Sequence, residues 1–97
     1  MTFAQFENTL KQSRPPADLT PALAALWWAH NGKWDEAHQI VMDEADKDCA
    51  WVHAHLHRVE GDLENARYWY RRARRAERAS SLADEWGEIA RTLLDPR

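Results

Sequence analysis

Gly32-Lys33-Trp34-Asp35-Glu36-Ala37 and Gly61-Asp62-Leu63-Glu64-Asn65-Ala66 are one turn written twice, and how they are read decides the fold. Each begins with glycine, the residue that accepts a left-handed helix C-cap without strain. Each then opens a helical pattern with a bulky residue followed by an alanine. Gly32 and Gly61, Trp34 and Leu63, Ala37 and Ala66, and Val41 and Tyr70 are all 29 residues apart. Ala25 and Ala54 match in the same way, seven residues before each glycine. Small side chains at Ala25 and Ala37, or at Ala54 and Ala66, let the helices of a hairpin approach closely.

On both sides of these turns apolar residues recur every three or four positions, and no segment alternates with a strand period. An N-terminal helix is expected over 2–12, capped by Thr2, with Phe3, Phe6 and Leu10 on one side. Ser13-Arg14-Pro15-Pro16-Ala17 breaks it, since paired prolines cannot continue a helix. The first hairpin, 20–45, restarts at Thr20-Pro21, a capping hydroxyl followed by proline at the first helical position. Its stripes are Leu23, Leu26, Trp27 and His30, then Trp34, Ala37, Ile40 and Val41.

The second hairpin, 48–79, carries Cys49, Val52, Leu56 and Val59 on one helix. The other helix, capped by Asp62, carries Leu63, Ala66, Trp69, Tyr70, Ala73 and Ala76. A last helix over 81–94 is capped by serine, with Asp84 and Glu85 in its first turn. Its stripe of Leu82, Trp86, Ile89, Ala90, Leu93 and Leu94 is expected to cap the second hairpin. The expectation is one all-α domain over 1–97, five or six helices in antiparallel hairpins.

Composition agrees. A chain of 97 residues with 44% hydrophobic content and six tryptophans can bury one core, and three glycines leave little for loops. No stretch approaches the ~18 apolar residues of a membrane span, so no membrane partner is expected. Met1–Glu7 lacks the basic and apolar regions of a signal peptide, and the single Cys49 cannot form an internal disulfide. A reducing cytoplasm is the expected location. The first 50 residues carry four basic and eight acidic side chains, the remainder nine and eight. A net charge of −3 argues against nucleic acid as a partner, despite a local stripe at Arg67, Arg71, Arg72, Arg74, Arg75 and Arg78.

The small residue, glycine turn, bulky residue, alanine, aromatic and alanine of Ala54, Gly61, Leu63, Ala66, Tyr70 and Ala73 resemble a tetratricopeptide repeat. Ala25 through Val41 forms a weaker copy, with Glu44 where the final alanine would stand and a period shorter than the ~34 residues of that family. The run Glu60-Gly61-Asp62-Leu63-Glu64-Asn65-Ala66-Arg67-Tyr68-Trp69-Tyr70-Arg71-Arg72-Ala73 also resembles a group of small uncharacterised bacterial proteins. That likeness implies architecture and no activity. The tetratricopeptide resemblance implies a concave face, used by such hairpins to hold a peptide. By alignment it would carry Leu26 and His30 from the first copy and Trp51, His55 and Arg58 from the second. Trp51 and Arg58 are residue types that dominate binding hot spots.

Two other sites compete with that surface. His53 and His57 are four apart and share a helix face, with Glu60 one turn on, so they could chelate a divalent metal. Asp62 could complete such a site or supply hydrolytic acid–base chemistry, and His30 or His38 could join from the first hairpin. The plainer reading makes both histidines half-buried interhelical residues and Asp62 a helix cap. The arginine stripe beside Tyr68-Trp69-Tyr70 suggests RNA binding, against the plainer reading of a solvated charged face. Cys49 lies on an apolar stripe and reads as a small buried hydrophobe.

The expectation from sequence is a non-enzymatic module with a protein or peptide partner, no catalytic residue and no cofactor. The metal site at His53, His57 and Glu60 is the alternative, and RNA binding through Arg67–Arg78 the third reading. Six tryptophans in so small a chain leave room for a homodimer.

Overall fold

A computed structural model describes residues 1–95. Those residues form six helices and no strand: α1 (Phe3–Thr9), α2 (Pro21–His30), α3 (Trp34–Met42), α4 (Lys47–Glu60), α5 (Leu63–Ala73) and α6 (Leu82–Leu94). The helix starts follow local chemistry. Thr2 and Gln5 form a reciprocal capping box on α1, and Thr20 accepts from the Leu23 N–H with Pro21 just inside α2. The Asp46, Asp62 and Ser81 side chains accept from the N–H groups of Cys49, Asn65 and Asp84. Gly32 and Gly61 close their turns at φ of 74° and 87°.

The centre of the molecule is α4. Every residue from Cys49 to His57 is buried, because α2, α3, α5 and α6 all pack against it. Close approach follows from the alanines expected at the crossings: Ala25, Ala37, Ala54 and Ala66 are all buried. Indole N–H groups tie the layers together. Trp34 Nε1 donates to the Leu56 carbonyl (2.7 Å), Trp86 Nε1 to the Leu26 carbonyl (2.8 Å) and Trp27 Nε1 to the Thr9 carbonyl (3.1 Å). Each bond lets a large ring be buried without an orphaned donor. Phe6 stacks on Trp86 and Phe3 meets its edge, which seats α1 on α6.

Several boundaries and core positions differ from the sequence expectation. The first helix stops at Thr9 rather than residue 12. The fifth stops at Ala73, where Arg74 turns left-handed (φ 58°), so Ala76 lies outside it and is exposed. Val59 is 45% exposed and Leu63 52%: both sit at the Gly61 turn, where no neighbouring helix reaches over them.

The packing predicts a sharp contrast between two substitutions. Ala54→Leu inserts volume where α4 meets its neighbours and should cost about 1–3 kcal/mol in urea unfolding. Leu63→Ala should stay within about 0.5 kcal/mol. Equal effects at the two positions would contradict this arrangement.

Candidate functional site

Successive residues on an α-helix are rotated by ~100°, so residues two apart face nearly opposite ways and residues four apart share a face. His53, His55 and His57 on α4 are divided accordingly. His55 faces α6. His53 and His57 face α3 and α5. Because α4 is buried all round, each imidazole has to find a partner inside the protein.

On the α6 side the partner is Glu85, a carboxylate with 0% exposure. Its Oε1 lies 2.7 Å from His55 Nδ1 and accepts from Arg58 Nη1 at 3.2 Å, while Oε2 accepts from the Tyr70 hydroxyl. Burial by itself would raise the Glu85 pKa. The hydrogen bonds from His55, Tyr70 and Arg58 outweigh it and hold the carboxyl below its usual range. The Tyr70 phenol is pushed up, first by burial and then by its bond to Glu85. Arg58 Nη2 also donates to the Ser80 carbonyl, which fastens the α5–α6 connection. These contacts seat α6 on α4, and the bond from Trp86 to the Leu26 carbonyl seats it on α2.

The opposite face holds the candidate metal centre. His38, on α3, enters beside His53 and His57, and one donor nitrogen from each ring lies within 4.8 Å of the other two. His38 Nε2 and His53 Nε2 are 3.1 Å apart. Nitrogens bound to one tetrahedral ion at about 2.0–2.1 Å would lie roughly 3.4 Å from each other, so the spacing is close to that of a ligand pair. His57 Nδ1 is bonded to Glu60 Oε1 at 2.6 Å, which orients the ring and leaves Nε2 as its remaining donor atom. Two tryptophans wall the cluster: Trp69 stacks on His53 with centroids 3.9 Å apart, and Trp34 stacks on His38 at 4.6 Å.

This environment keeps the His38 and His53 imidazoles neutral. Burial, then the neighbouring His57 and His38, lower the His53 pKa to about 4. Burial and His57 also lower that of His38, against the opposing pull of Glu60 and Asp35. His53 Nδ1 is buried with no hydrogen-bond partner among the described residues. Such an orphan costs about 1–3 kcal/mol and calls for a reason beyond packing.

Of the metal residues expected from sequence, His53 and His57 do come together, and His38 joins them from the first hairpin. Glu60 holds the outer nitrogen of His57. Glu60 and Asp62 also form a second acidic grouping with His57, but both are exposed and Asp62 is occupied in capping α5.

The expected concave face has a different fate, because α6 lies across it. Leu26 is buried and its carbonyl accepts from Trp86, while Trp51 and His55 are each 3% exposed. Arg58 is turned onto Glu85. Only His30 of that set remains exposed, with its ring 4.9 Å from Trp86. Along the arginine stripe, Arg67 pairs with Glu77 and Arg78 with Glu88, while Arg72 lies over Tyr68 and Trp69 and Arg75 over Trp51.

Glu85 is a first-turn charge by sequence, yet a signal of its burial is present there. It falls between Leu82 and Trp86 on the apolar stripe of its helix. A lone acid there has to be paired, and His55, Arg58 and Tyr70 pair it. No protein family, curated protein or solved structure matches the chain.

Two measurements follow. Glu85→Gln removes the charge that balances Arg58 and should destabilise by about 3–5 kcal/mol, the range for breaking a buried ion pair. In chelator-treated protein His53 binds its proton more tightly unfolded than folded, so stability present above pH 6.5 is lost as pH falls toward 4. Between pH 7 and 5 the loss from this residue should be about 2 kcal/mol in urea unfolding. His53→Phe should flatten the profile in that window; an unchanged slope would show that His53 is not buried neutral.

Proposed function

We propose that the protein binds a divalent transition-metal ion, of the zinc class, through His38, His53 and His57. The observation that carries this reading is the convergence of three imidazole nitrogens from two helices within 4.8 Å of one another. Neutral imidazole suits zinc, copper, nickel and iron, and disfavours magnesium or calcium, which take oxygen ligands. Glu60 supplies the carboxylate that commonly backs a ligating histidine, fixing its tautomer and raising its basicity. The low proton affinity of His38 and His53 keeps both ring nitrogens available to a metal at neutral pH.

The chemistry of the His38–His53 contact favours exchange with an ion. Both pKa values are depressed, so the 3.1 Å contact is made by one neutral donor and one neutral acceptor. The donor becomes a ligand simply by moving its proton to Nδ1. Three protein ligands leave a fourth tetrahedral position for water or an incoming group, the pattern of sites that bind exchangeable ligands. His38 is only half-buried, and the ion enters along that edge.

Purified protein should take up about one equivalent of zinc or cobalt, with Trp34 and Trp69 fluorescence responding because both rings stack on ligand histidines. His38→Ala, at the half-buried edge, should abolish tight binding while the fold persists. Glu60→Gln should weaken binding about 10–100-fold. A folded wild-type protein that binds no zinc, cobalt, nickel or copper, or an affinity unchanged in His38→Ala, would overturn the proposal.

A further inference from the structure

Three of the described residues adopt a left-handed backbone: Gly32, Gly61 and, alone among non-glycine positions, Arg74. All three close a helix C-terminus. At Arg74 the N–H donates to the carbonyls of Arg71 and Tyr70, and the following N–H returns to the Tyr70 carbonyl. Glycine serves such a position without a steric penalty, whereas a residue with a Cβ pays one. A local rule broken at a cost points to a use for the side chain.

That side chain has company. Arg74, Arg75 and Arg78 together line a cavity of about 240 Å³, with Trp51 and Ala76 in its wall and Glu88 at its edge. Arg75 is fixed in place by stacking: its guanidinium lies 4.0 Å from the Trp51 ring centroid. Glu88 steadies Arg78. The Arg74 and Arg75 guanidinium groups have no hydrogen-bond or ion-pair partner among the described residues, and both residues line this one small space. From Arg71 to Arg78 the chain carries five arginines against the single Glu77, which is taken by Arg67.

We infer that Arg74, Arg75 and Arg78 form a binding site for the phosphoryl group of a small phosphate-bearing molecule. Planar guanidinium donors match phosphate oxygens in geometry and charge. The cavity is below the ~300–1,000 Å³ of sites that enclose a whole drug-sized ligand, and so takes a phosphoryl group with the remainder of the molecule outside. The site adjoins the Trp51 and His55 side of α4, not the face that carries His53 and His57, and does not depend on the metal reading.

Arg74→Gly provides a test in which folding and binding move in opposite directions. It removes one guanidinium and also relieves the left-handed strain, so Tm should rise while affinity falls. The probe is inorganic pyrophosphate, followed by calorimetry at low salt, with inorganic phosphate and a single-stranded oligonucleotide in parallel. Pyrophosphate should bind to the wild type and weaken about tenfold or more in Arg74→Gly, with Arg74→Lys intermediate. Absence of pyrophosphate binding, or equal binding in Arg74→Gly, would overturn the inference. Binding of the oligonucleotide alone would also overturn it, since a polymer tracked along the whole stripe does not need this pocket.

Discussion

The structure depends on one constraint: α4 is buried on every side from Cys49 to His57, yet that stretch carries three histidines and runs into a half-buried arginine. A helix surrounded by other helices cannot turn its polar side chains to water, so each must be satisfied by what packs against it. Glu85 answers for His55, Arg58 and Tyr70 at once, and in doing so determines where α6 lies. The resulting network has opposite charges, short contacts and no exposure at its centre, which is how a buried carboxylate remains ionised. The other face of the helix is solved differently. His38, His53 and His57 satisfy one another only in part, and one nitrogen is left with nothing.

That asymmetry separates a structural cluster from the one proposed to bind a metal. Every donor and acceptor named at Glu85 is paired, and the network's effect is to lock three helices, α4, α5 and α6, together. In the histidine cluster His38 and His53 pair as neutral groups whose basicity burial depresses, and two stacked indoles wall them. Such an arrangement is poor at holding a fold together. It suits a cation that replaces a shared proton, and Glu60 stands where a ligand histidine needs its carboxylate.

Much of the architecture was legible in the sequence because it is local. Thr20-Pro21, Gly61 with Asp62, and Ser81 act through hydrogen bonds to residues three to five away, and all mark helix ends where expected. The repeated Ala25/Ala37 and Ala54/Ala66 pairs marked the close crossings. What sequence could not supply was the company a side chain keeps across the fold. His53 and His57 were readable as a pair from their spacing, but the arrival of His38 depends on how α3 packs on α4. Glu85 looked like helix-end electrostatics because its partners are 15 to 30 residues away. Trp51 and Arg58 looked like exposed anchors because their residue types suit one, and the helix that covers them comes later in the chain. Ala76 fell outside its helix because Arg74 ends it with a backbone turn normally left to glycine.

The central claim concerns the histidines, and X-ray absorption at the zinc edge of a 1:1 zinc complex tests it most directly. The account predicts a nitrogen/oxygen first shell at about 2.0–2.1 Å with the outer-shell scattering of three imidazoles. A sulfur shell at about 2.3 Å would place the ion on Cys49, and an oxygen shell without imidazole scattering would place it on surface carboxylates. Either result, or zinc that fails to remain bound, would contradict it.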